Sequence, residues 1–307
     1  MKILIFGYGN RVKSDILFAI EQAINKPEIS IVTKSSKPNK LKNLRFYTFN
    51  EFKKLHREYF DLTILSVPND EQIGIFNILD ENNNKKVLID TPVNKKVRKM
   101  DKKFDIGVLE DIVHTPVIDK INELIEVQKN IYFNFYKSAH EYHGIAMVES
   151  ILGSQITGKK RKFIDDKNIL LYLQIRNSHK VIITSPSNTK IGYIRIKFDN
   201  KNYLLGCKDT FQKLEKIRSD QYTRLEELYP LKKFDGVISE NWVKDLRDFK
   251  LLGLIKIFSK LDQNISQNIY DSFRQQKIAK TNRLSVKFKK LFVKYLIFQN
   301  KISNKVK

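Results

Sequence analysis

The chain of 307 residues contains a single cysteine, Cys207, which excludes an intrachain disulfide. This cysteine usage suits a reducing compartment. Long hydrophobic runs are also missing, because no segment approaches the roughly 18 consecutive apolar residues of a membrane-spanning helix. The apolar run from Met1 to Phe6 is too short for the core of a signal peptide, and no small-residue cleavage site follows it. We therefore expect a cytoplasmic protein without a transmembrane segment.

Acidic residues are scarce relative to basic ones. The sequence has 34 Asp and Glu against 57 Lys and Arg, which gives a formal net charge of +23 at pH 7. Such an excess of positive charge is typical of proteins that bind a nucleic acid or an anionic membrane. The lysines, however, are spread along the chain between Asn and Ile residues, which is typical of a solvated surface. We therefore expect no dedicated nucleic-acid partner. Hydrophobic residues, at 41%, are enough for one large domain or two ordinary ones.

Short apolar runs alternate with helical patterns in the first part of the chain. The run from Ile3 to Phe6, for example, leads into a segment with Ile16, Leu17 and Ile20 at helical spacing. This alternation predicts an α/β fold with a doubly wound parallel sheet of the Rossmann type. The expected strands are 3–6, 29–33, 46–49, 62–67, 87–90 and 104–109, and the expected helices are 14–24, 51–59 and 73–79.

The pattern changes after residue 112. Strand-like runs now follow one another with short turns between them, which predicts an α+β domain with a mostly antiparallel sheet. We therefore expect a Rossmann domain over 1–112 and a substrate or oligomerisation domain over 113–307, ending in a helical region from about 239. The expected strands are 131–136, 170–175, 181–184, 191–198 and 203–207, with helices at 118–127 and 141–152 and a turn at 199–202.

A glycine turn joins the first strand to the first helix. Glycine at Gly7 permits a tight turn, and glycine at Gly9 lets the backbone approach a pyrophosphate that rests on the helix N-terminus. Any tight strand-to-helix turn favours glycine, but this one lies in the structural context that nucleotide binding requires. The predicted phosphate-binding residues are Gly7, Tyr8, Gly9, Asn10 and Arg11.

The end of the second predicted strand bears on the choice of cofactor. NAD-binding proteins commonly place an acid here to bind the ribose hydroxyls. This chain has Thr33, Lys34 and Ser35 instead, with no carboxylate before Glu51. A hydroxyl and a lysine suit a 2′-phosphate, so NADP is favoured over NAD. The alternative is that Lys34 belongs to an ordinary charged surface loop.

Several motifs, in order, resemble those of the Gfo/Idh/MocA oxidoreductases. That family begins with such a glycine turn, has a Thr-Pro-Asn-like loop after its fourth strand, and has Glu-Lys-Pro after its fifth. A proline then opens a helix, and a later helix carries a histidine ten residues before a closing glycine. The matching residues here are Ser66, Val67, Pro68 and Asn69; Asp90, Thr91 and Pro92, preceded by Lys85 to Ile89; Pro116; and His143 with Gly153.

The resemblance implies an enzyme that transfers a hydride between nicotinamide and a small-molecule substrate such as a polyol, sugar or nucleotide sugar. It also implies that the loop of Ser66 to Asn69 and Asp90 contact the cofactor, NADP or NAD. His143 would transfer a proton, since an imidazole exchanges protons near pH 7. Thr91 would orient the substrate or the nicotinamide. The alternative for His143 is a helix-end histidine with an ordinary hydrogen bond.

The chain departs from the family pattern at three positions. Thr91 stands where the family has its lysine, and a hydroxyl holds no positive charge at neutral pH. Ala139 stands where the family often has an aspartate, and Asp90 replaces a glutamate. These changes leave a second hypothesis open, in which the protein binds cofactor without catalysis and acts as a sensor or assembly partner.

Two further features concern metals and assembly. His140 and His143 have helical ligand spacing beside Glu141, but no third ligand is indicated, so we expect no metal site.

The segment from Leu284 to Leu296 is amphipathic with lysine as its charged residue. It is predicted to cover the sheet or form a subunit interface in a homo-oligomer, and the alternative is a helix on an anionic membrane surface.

Overall fold

The computed structural model describes residues 1–34, 44–54, 58–80, 83–84, 86–100, 103–115, 118, 130–136, 141–153, 155–163, 169–175, 180–184, 193–198, 201–206, 223–224, 246–263 and 266–280. Several predictions fall outside these ranges. They are the helix at 118–127 beyond its first residue, the centre of the turn at 199–202, the helix from Leu284, and the single residues Ser35, Lys85, Pro116, Ala139, His140 and Cys207.

The predicted doubly wound sheet is confirmed. Six parallel strands have the order β3-β2-β1-β4-β5-β6, which places β1 next to β2 on one side and β4 on the other. In this order, the chain reverses direction across the sheet between β1 and β4, where a crevice opens at the carboxyl ends of the strands. The strands are β1 (Lys2–Phe6), β2 (Glu28–Thr33), β3 (Leu44–Thr48), β4 (Leu62–Leu65), β5 (Lys86–Asp90) and β6 (Asp105–Leu109).

The connecting helices of this sheet are short. A π-helical turn, Val12–Ile16, precedes α1 (Leu17–Ala23), so the helix predicted at 14–24 begins with wider turns than an α-helix. Such π-helical turns often occur near functional sites. The other connections are α2 (Phe49–Lys54), α3 (Gln72–Phe76) and 3₁₀ turns at Lys95–Lys99 and Asp111–His114.

The second sheet contains seven strands in the order β13-β12-β11-β7-β10-β9-β8. Its pairs are antiparallel except β7 with β10 and β12 with β13, so the mostly antiparallel prediction is confirmed. Residues 201 and 202 belong to a strand rather than to the predicted turn. The strands are β7 (Asn130–Tyr136), β8 (Ile156–Phe163), β9 (Ile169–Ile175), β10 (Lys180–Thr184), β11 (Tyr193–Phe198), β12 (Lys201–Gly206) and β13 (Thr223–Arg224), and α4 (Glu141–Leu152) follows β7.

Strand β8 was not predicted from the sequence. Its residues include the basic run from Lys159 to Lys162, which lacks the alternation of apolar and polar residues that indicates a strand. It lies at the edge of the sheet and pairs only with β9 among the described strands. Lysine-rich sequences are favoured in edge strands because they oppose pairing with other chains.

The C-terminal elements return to the first sheet. Helix α5 (Leu246–Ser259) packs against α1, and its Leu251, Leu254 and Ile257 share a buried core with Ile3 and Ile5 of β1. A 3₁₀ turn (Leu261–Gln263) leads to β14 (Gln267–Asn268), which pairs antiparallel with β6, and then to α6 (Ile269–Lys280). No helix among the described residues is both long enough and apolar enough to cross a membrane.

A buried glutamate connects α4 to α6. Glu149 accepts hydrogen bonds from both terminal guanidinium nitrogens of Arg274, from Nε2 of Gln275 at 2.7 Å and from the backbone N–H of Ile156 at 2.7 Å. Both of its carboxylate oxygens are therefore satisfied, as burial of a charge requires. This interaction attaches the helix that begins near the second sheet to the helix that follows β14.

Helix α5 approaches the turn after β6 closely at Gly253. A Cβ atom placed on Gly253 would lie 2.2 Å from the carbonyl oxygen of Asp111. Only a glycine allows the helix backbone to approach the turn to this distance. Replacement of Gly253 therefore requires the helix or the turn to move.

We predict that Gly253→Ala lowers the free energy of unfolding by about 1–3 kcal/mol, since it overpacks a buried backbone contact. Gly74→Ala is the matched control, because a Cβ on Gly74 of α3 meets no atom within 4 Å. That change should raise stability by about 0.5–1 kcal/mol through helix propensity. Denaturant unfolding measures both, and equal stability of the two variants would contradict the close contact.

Candidate functional site

A cavity of about 820 Å³ lies at the carboxyl ends of β1, β2 and β4. This is the position in a doubly wound sheet where ligands bind. Its volume lies within the range of roughly 300–1,000 Å³ found for small-molecule sites. The residues of the predicted cofactor site that line it are Gly7, Tyr8, Gly9, Thr33, Lys34, Ser66, Val67 and Pro68.

The two glycines of the turn differ in their surroundings. Gly7 has a positive φ of 101°, and a Cβ on it would lie 2.2 Å from the carbonyl oxygen of Ser66. Gly7 therefore permits the chain itself to pack. A Cβ on Gly9 would meet no atom within 4 Å, and Gly9 lines the cavity. The open side of Gly9 fits a group that approaches the backbone, as a pyrophosphate would.

The cavity has both apolar and charged walls. Tyr8 packs edge-on against Phe46, with ring centroids 5.1 Å apart, and Nζ of Lys13 lies 4.8 Å from the centroid of the Tyr8 ring. Phe49 and Ile75 also line the cavity. An apolar surface with a nearby cation suits a ligand that combines a ring system with phosphate groups.

Lys34 forms an ion pair that the sequence did not predict. Its Nζ lies 2.9 Å from Oε1 of Glu71, and this hydrogen bond, with the charge of Glu71, raises the pKa of Lys34 above its usual value. Both residues line the cavity, and Lys34 is mostly exposed. A 2′-phosphate on Lys34 would therefore compete with Glu71. The nearby Thr33 uses its hydroxyl to donate to the carbonyl of Tyr47 at 3.4 Å.

Arg11 lies in a cluster of carboxylates rather than among the cavity-lining residues. Its guanidinium nitrogens lie 3.0 Å from Asp15, 2.5 Å from Asp111 and 3.7 Å from Asp90. Asp90 also accepts a hydrogen bond of 3.0 Å from the hydroxyl of Ser66. We call these four charged residues the Arg11 cluster. It connects the start of the first helix to the ends of β5 and β6.

The two aspartates of the Arg11 cluster at the ends of β5 and β6, Asp90 and Asp111, have different proton affinities. Burial raises the pKa of Asp90 above its usual range, and the Arg11 guanidinium only partly opposes this. Burial acts on Asp111 as well, but Arg11 and Lys250 hold the pKa of Asp111 below its usual range. Arg11 therefore stabilises the ionised form of Asp111.

Residues after β5 form a braced turn. The peptide bond between Thr91 and Pro92 is cis. The carbonyl of Pro92 accepts hydrogen bonds from Nδ2 of Asn69 at 3.2 Å and from Nε2 of Gln72 at 3.1 Å. The predicted cofactor residue Asn69 thus helps to hold the turn that carries Thr91, and Asn10 uses its carbonyl to accept from Ser14 at 2.7 Å.

Helix α4 brings two side chains to the ends of β5 and β6. The hydroxyl of Tyr142 forms a hydrogen bond with the hydroxyl of Thr91. The rings of Tyr142 and His143 have centroids 4.2 Å apart. Nδ1 of His143 lies 2.5 Å from Oε1 of Glu110, the residue directly after β6. Predicted residues Thr91 and His143 therefore belong to one cluster with Tyr142 and Glu110, which we call the hydroxyl–imidazole cluster.

Tyr142 keeps its proton well above neutral pH. Burial raises its pKa to about 12, and the neighbouring carboxylates of Glu110, Asp90 and Asp111 act in the same direction. A phenol in this state donates a hydrogen bond and does not act as a base at neutral pH. Arranged with an imidazole, it can bind an oxygen atom whose charge changes during a reaction.

Sequence reasoning missed Glu71, Glu110 and Asp111. The last two follow directly on a buried parallel strand, a position that indicates functional residues in doubly wound sheets. That signal was present in the sequence. Within the described part of the chain, no group of three or more His, Cys, Asp and Glu side chains is placed to hold a metal ion.

Comparison with known proteins shows the fold. No family model matches the chain, and no curated protein matches its sequence. A probable dehydrogenase from Thermotoga maritima superposes with a TM-score of 0.63 at 10% identity, covering 94% of this chain and 97% of that one. A myo-inositol dehydrogenase from Lactobacillus casei in complex with NAD(H) and myo-inositol gives 0.62 at 9% identity, covering 94% of each chain. An oxidoreductase from Agrobacterium radiobacter in complex with NAD+, L-tartaric acid and magnesium gives 0.60 at 13%, covering 93% and 96%.

The proton on Tyr142 leads to a prediction about alkaline stability. The folded state keeps this proton up to about pH 12, whereas the ordinary value for tyrosine is 10.0, so the unfolded chain loses it first. Stability therefore falls as pH rises through this window. After allowance for partial exposure, the fall due to Tyr142 should be about 1–2 kcal/mol. Denaturant unfolding of wild type and Tyr142→Phe between pH 9 and 12 measures it, and parallel stability curves for the two would contradict it.

Proposed function

We propose that the chain is an oxidoreductase of the Gfo/Idh/MocA type that uses NADP or NAD. The observation that carries this proposal is the arrangement at one edge of the first sheet. The open side of Gly9 faces a cavity suited to a dinucleotide, and the hydroxyl–imidazole cluster lies at the ends of the neighbouring strands. The likeness in fold to dehydrogenases over nearly the whole chain supports it.

The cofactor would occupy the cavity beside the glycine turn. Gly7, Tyr8 and Gly9 would approach its pyrophosphate, while Thr33 and Lys34 would contact the adenosine ribose. When bound, the nicotinamide accepts or returns a hydride. The Lactobacillus casei structure contains NAD(H), which supports a nicotinamide cofactor without deciding between NAD and NADP. The positive charge of Lys34 favours NADP. The carboxylate of Glu71, which pairs with Lys34, opposes binding of a 2′-phosphate there.

The substrate would be a small hydroxylated molecule such as a polyol, sugar or nucleotide sugar. Two structures of similar fold hold such molecules, myo-inositol and tartaric acid. In this chain, the hydroxyl–imidazole cluster offers hydrogen-bonding groups of the kind that bind hydroxyl oxygens. A substrate placed there would lie beside the ends of β5 and β6.

Residues of this chain would take up the proton that leaves the substrate hydroxyl. In oxidation of an alcohol, the hydroxyl proton passes to the imidazole of His143 as the carbon loses a hydride, and the reverse occurs in reduction. Tyr142 donates a hydrogen bond to the substrate oxygen in place of a lysine cation, and Thr91, whose hydroxyl is bonded to that of Tyr142, orients it. Since Tyr142 keeps its proton at neutral pH, it acts here as a donor. His143 and Thr91 are the proposed catalytic residues.

The proposed organisation is a Rossmann domain over 1–112 and a substrate or oligomerisation domain over 113–307. The C-terminal part of the second segment packs against the first sheet, through α5 and β14. We also propose a cytoplasmic homo-oligomer without a dedicated nucleic-acid partner.

A second candidate function is binding of the cofactor without catalysis, in a sensor or assembly protein. The observation that favours it is Thr91, which places a neutral hydroxyl where the resemblance implies a lysine. Two experiments separate these functions. The first is a titration with NADP and NAD followed by intrinsic fluorescence, and the second is a screen of polyols, sugars and nucleotide sugars by nicotinamide absorbance.

We predict that Gly9→Val weakens cofactor binding at least about tenfold, or roughly 1.4 kcal/mol, with the fold retained. The Cβ of the new side chain would lie on the open side of Gly9, where it meets no protein atom within 4 Å. Gly7→Ala serves as the comparison, since it should lower stability through its positive φ and its contact with Ser66. Fluorescence titration measures the dissociation constants. An unchanged constant in Gly9→Val would refute the cofactor site, and tighter NAD than NADP binding in wild type would refute the NADP preference.

We predict that His143→Asn lowers turnover about 100-fold or more, since the amide cannot exchange a proton near pH 7. Cofactor affinity should stay within about threefold, because His143 lies outside the glycine-turn cavity. Thr91→Lys is the companion variant, which the enzyme hypothesis expects to impair turnover and the inactive-binder hypothesis expects to create it. Cofactor binding by wild type with no turnover in the substrate screen would favour the second candidate function.

A further inference from the structure

Two buried glutamates, Glu149 within α4 and Glu110 after β6, differ in how their carboxylate oxygens are used. Glu149 has both oxygens satisfied by Arg274, Gln275 and the backbone of Ile156. Glu110 is more deeply buried, at 1% exposure, and its Oε1 contacts only the imidazole of His143 among the hydrogen-bond partners in the described ranges. Its Oε2 is buried with no hydrogen-bond partner among those residues.

We interpret Glu149 as a structural carboxylate and Glu110 as a carboxylate with a chemical role. Burying a carboxylate costs free energy that full hydrogen bonding offsets, as it does for Glu149. Among the described residues, no hydrogen bond offsets the burial of Oε2 of Glu110, and a buried group of this kind in a native protein calls for an explanation such as a catalytic role. A residue selected only to attach α4 to the first sheet would be expected to have both oxygens bonded.

The contact has a definite effect on the imidazole. Nδ1 of His143 lies 2.5 Å from Oε1 of Glu110. An ionised carboxylate only accepts hydrogen bonds, and such a partner selects the tautomer with the hydrogen on Nδ1. The lone pair of the neutral ring then belongs to Nε2. The carboxylate also stabilises the imidazolium that forms when Nε2 takes a proton, as buried carboxylates do beside catalytic histidines.

The chain positions this pair from two distant segments. Glu110 follows β6, where Asp111 beside it is fixed by Arg11, and His143 lies in the first turn of α4. The hydroxyl of Tyr142, next to His143, is bonded to Thr91 after β5. The imidazole is therefore held between the ends of β5 and β6.

We propose that Glu110 is the positioning residue of the reaction: it fixes His143 in the tautomer with hydrogen on Nδ1, so that Nε2 exchanges the proton with the substrate hydroxyl. This inference rests on the proposed function, since it assigns the proton transfer to one nitrogen of His143. Glu110 touches neither substrate nor cofactor in this role. It acts through the ring of His143.

The test combines nitrogen NMR with kinetics on the full chain. Wild type with ¹⁵N-labelled histidine should show the Nδ1–H tautomer for His143, whose signals are assigned by their loss in His143→Asn; the sequence has 5 histidines, so overlap is limited. In Glu110→Gln, this signature should weaken or change to Nε2–H, because an amide also offers a donor to Nδ1. Turnover should fall at least about 30-fold while KM and cofactor affinity stay within about threefold.

Two further variants separate positioning from support of the fold. Glu110→Asp keeps the carboxylate and should recover turnover to within about tenfold of wild type. Glu149→Gln, in the same helix as His143, should lower stability yet leave the His143 tautomer and the turnover of the folded protein unchanged. An Nε2–H tautomer in wild type, turnover within threefold of wild type in Glu110→Gln, or an equal loss in Glu149→Gln would each overturn the inference. The NMR measurement needs no turnover, so failure of the substrate screen alone refutes the oxidoreductase proposal and not the tautomer assignment.

Discussion

The interaction on which the site depends is the pairing of Arg11 with the carboxylates of Asp90 and Asp111. The guanidinium reaches from the first helix to Asp90 at the end of β5 and to Asp111 after β6. Each aspartate directly adjoins a residue of the hydroxyl–imidazole cluster, Thr91 in one case and Glu110 in the other. Removing Arg11 would leave the charge of the buried Asp111 uncompensated, so the members of this network depend strongly on one another. The glycine turn and the reacting side chains are thereby fixed to the same framework.

Much of the fold was predictable because its information is local. The strands of the first sheet are short apolar runs bounded by polar residues, and each expected strand is present. The glycine turn was equally visible, since Gly7 and Gly9 lie between a strand and a helix. Strand β8 was hidden because its basic residues carry no alternation, and pairing with β9 decides its structure.

The parts of the site that sequence reasoning missed are contacts between distant residues. Lys34 and Glu71 are 37 positions apart, and Glu110 and His143 are 33 apart, so nothing in their local sequence indicates pairing. Arg11 was interpreted as a phosphate-binding residue from its place in the turn, while the structure places its charge among carboxylates. Positions were predictable from the motif, and electrostatic partners required the tertiary fold.

The return of α5 to the first sheet has a consequence for synthesis of the protein on the ribosome. The apolar face of β1 that carries Ile3 and Ile5 is covered partly by Leu251 and Leu254, which are translated far later. A nascent chain that has completed β6 therefore holds an uncovered apolar surface until α5 emerges. At roughly 5–20 residues per second, that interval lasts many seconds, during which the part of the sheet that α5 covers in the native fold is exposed.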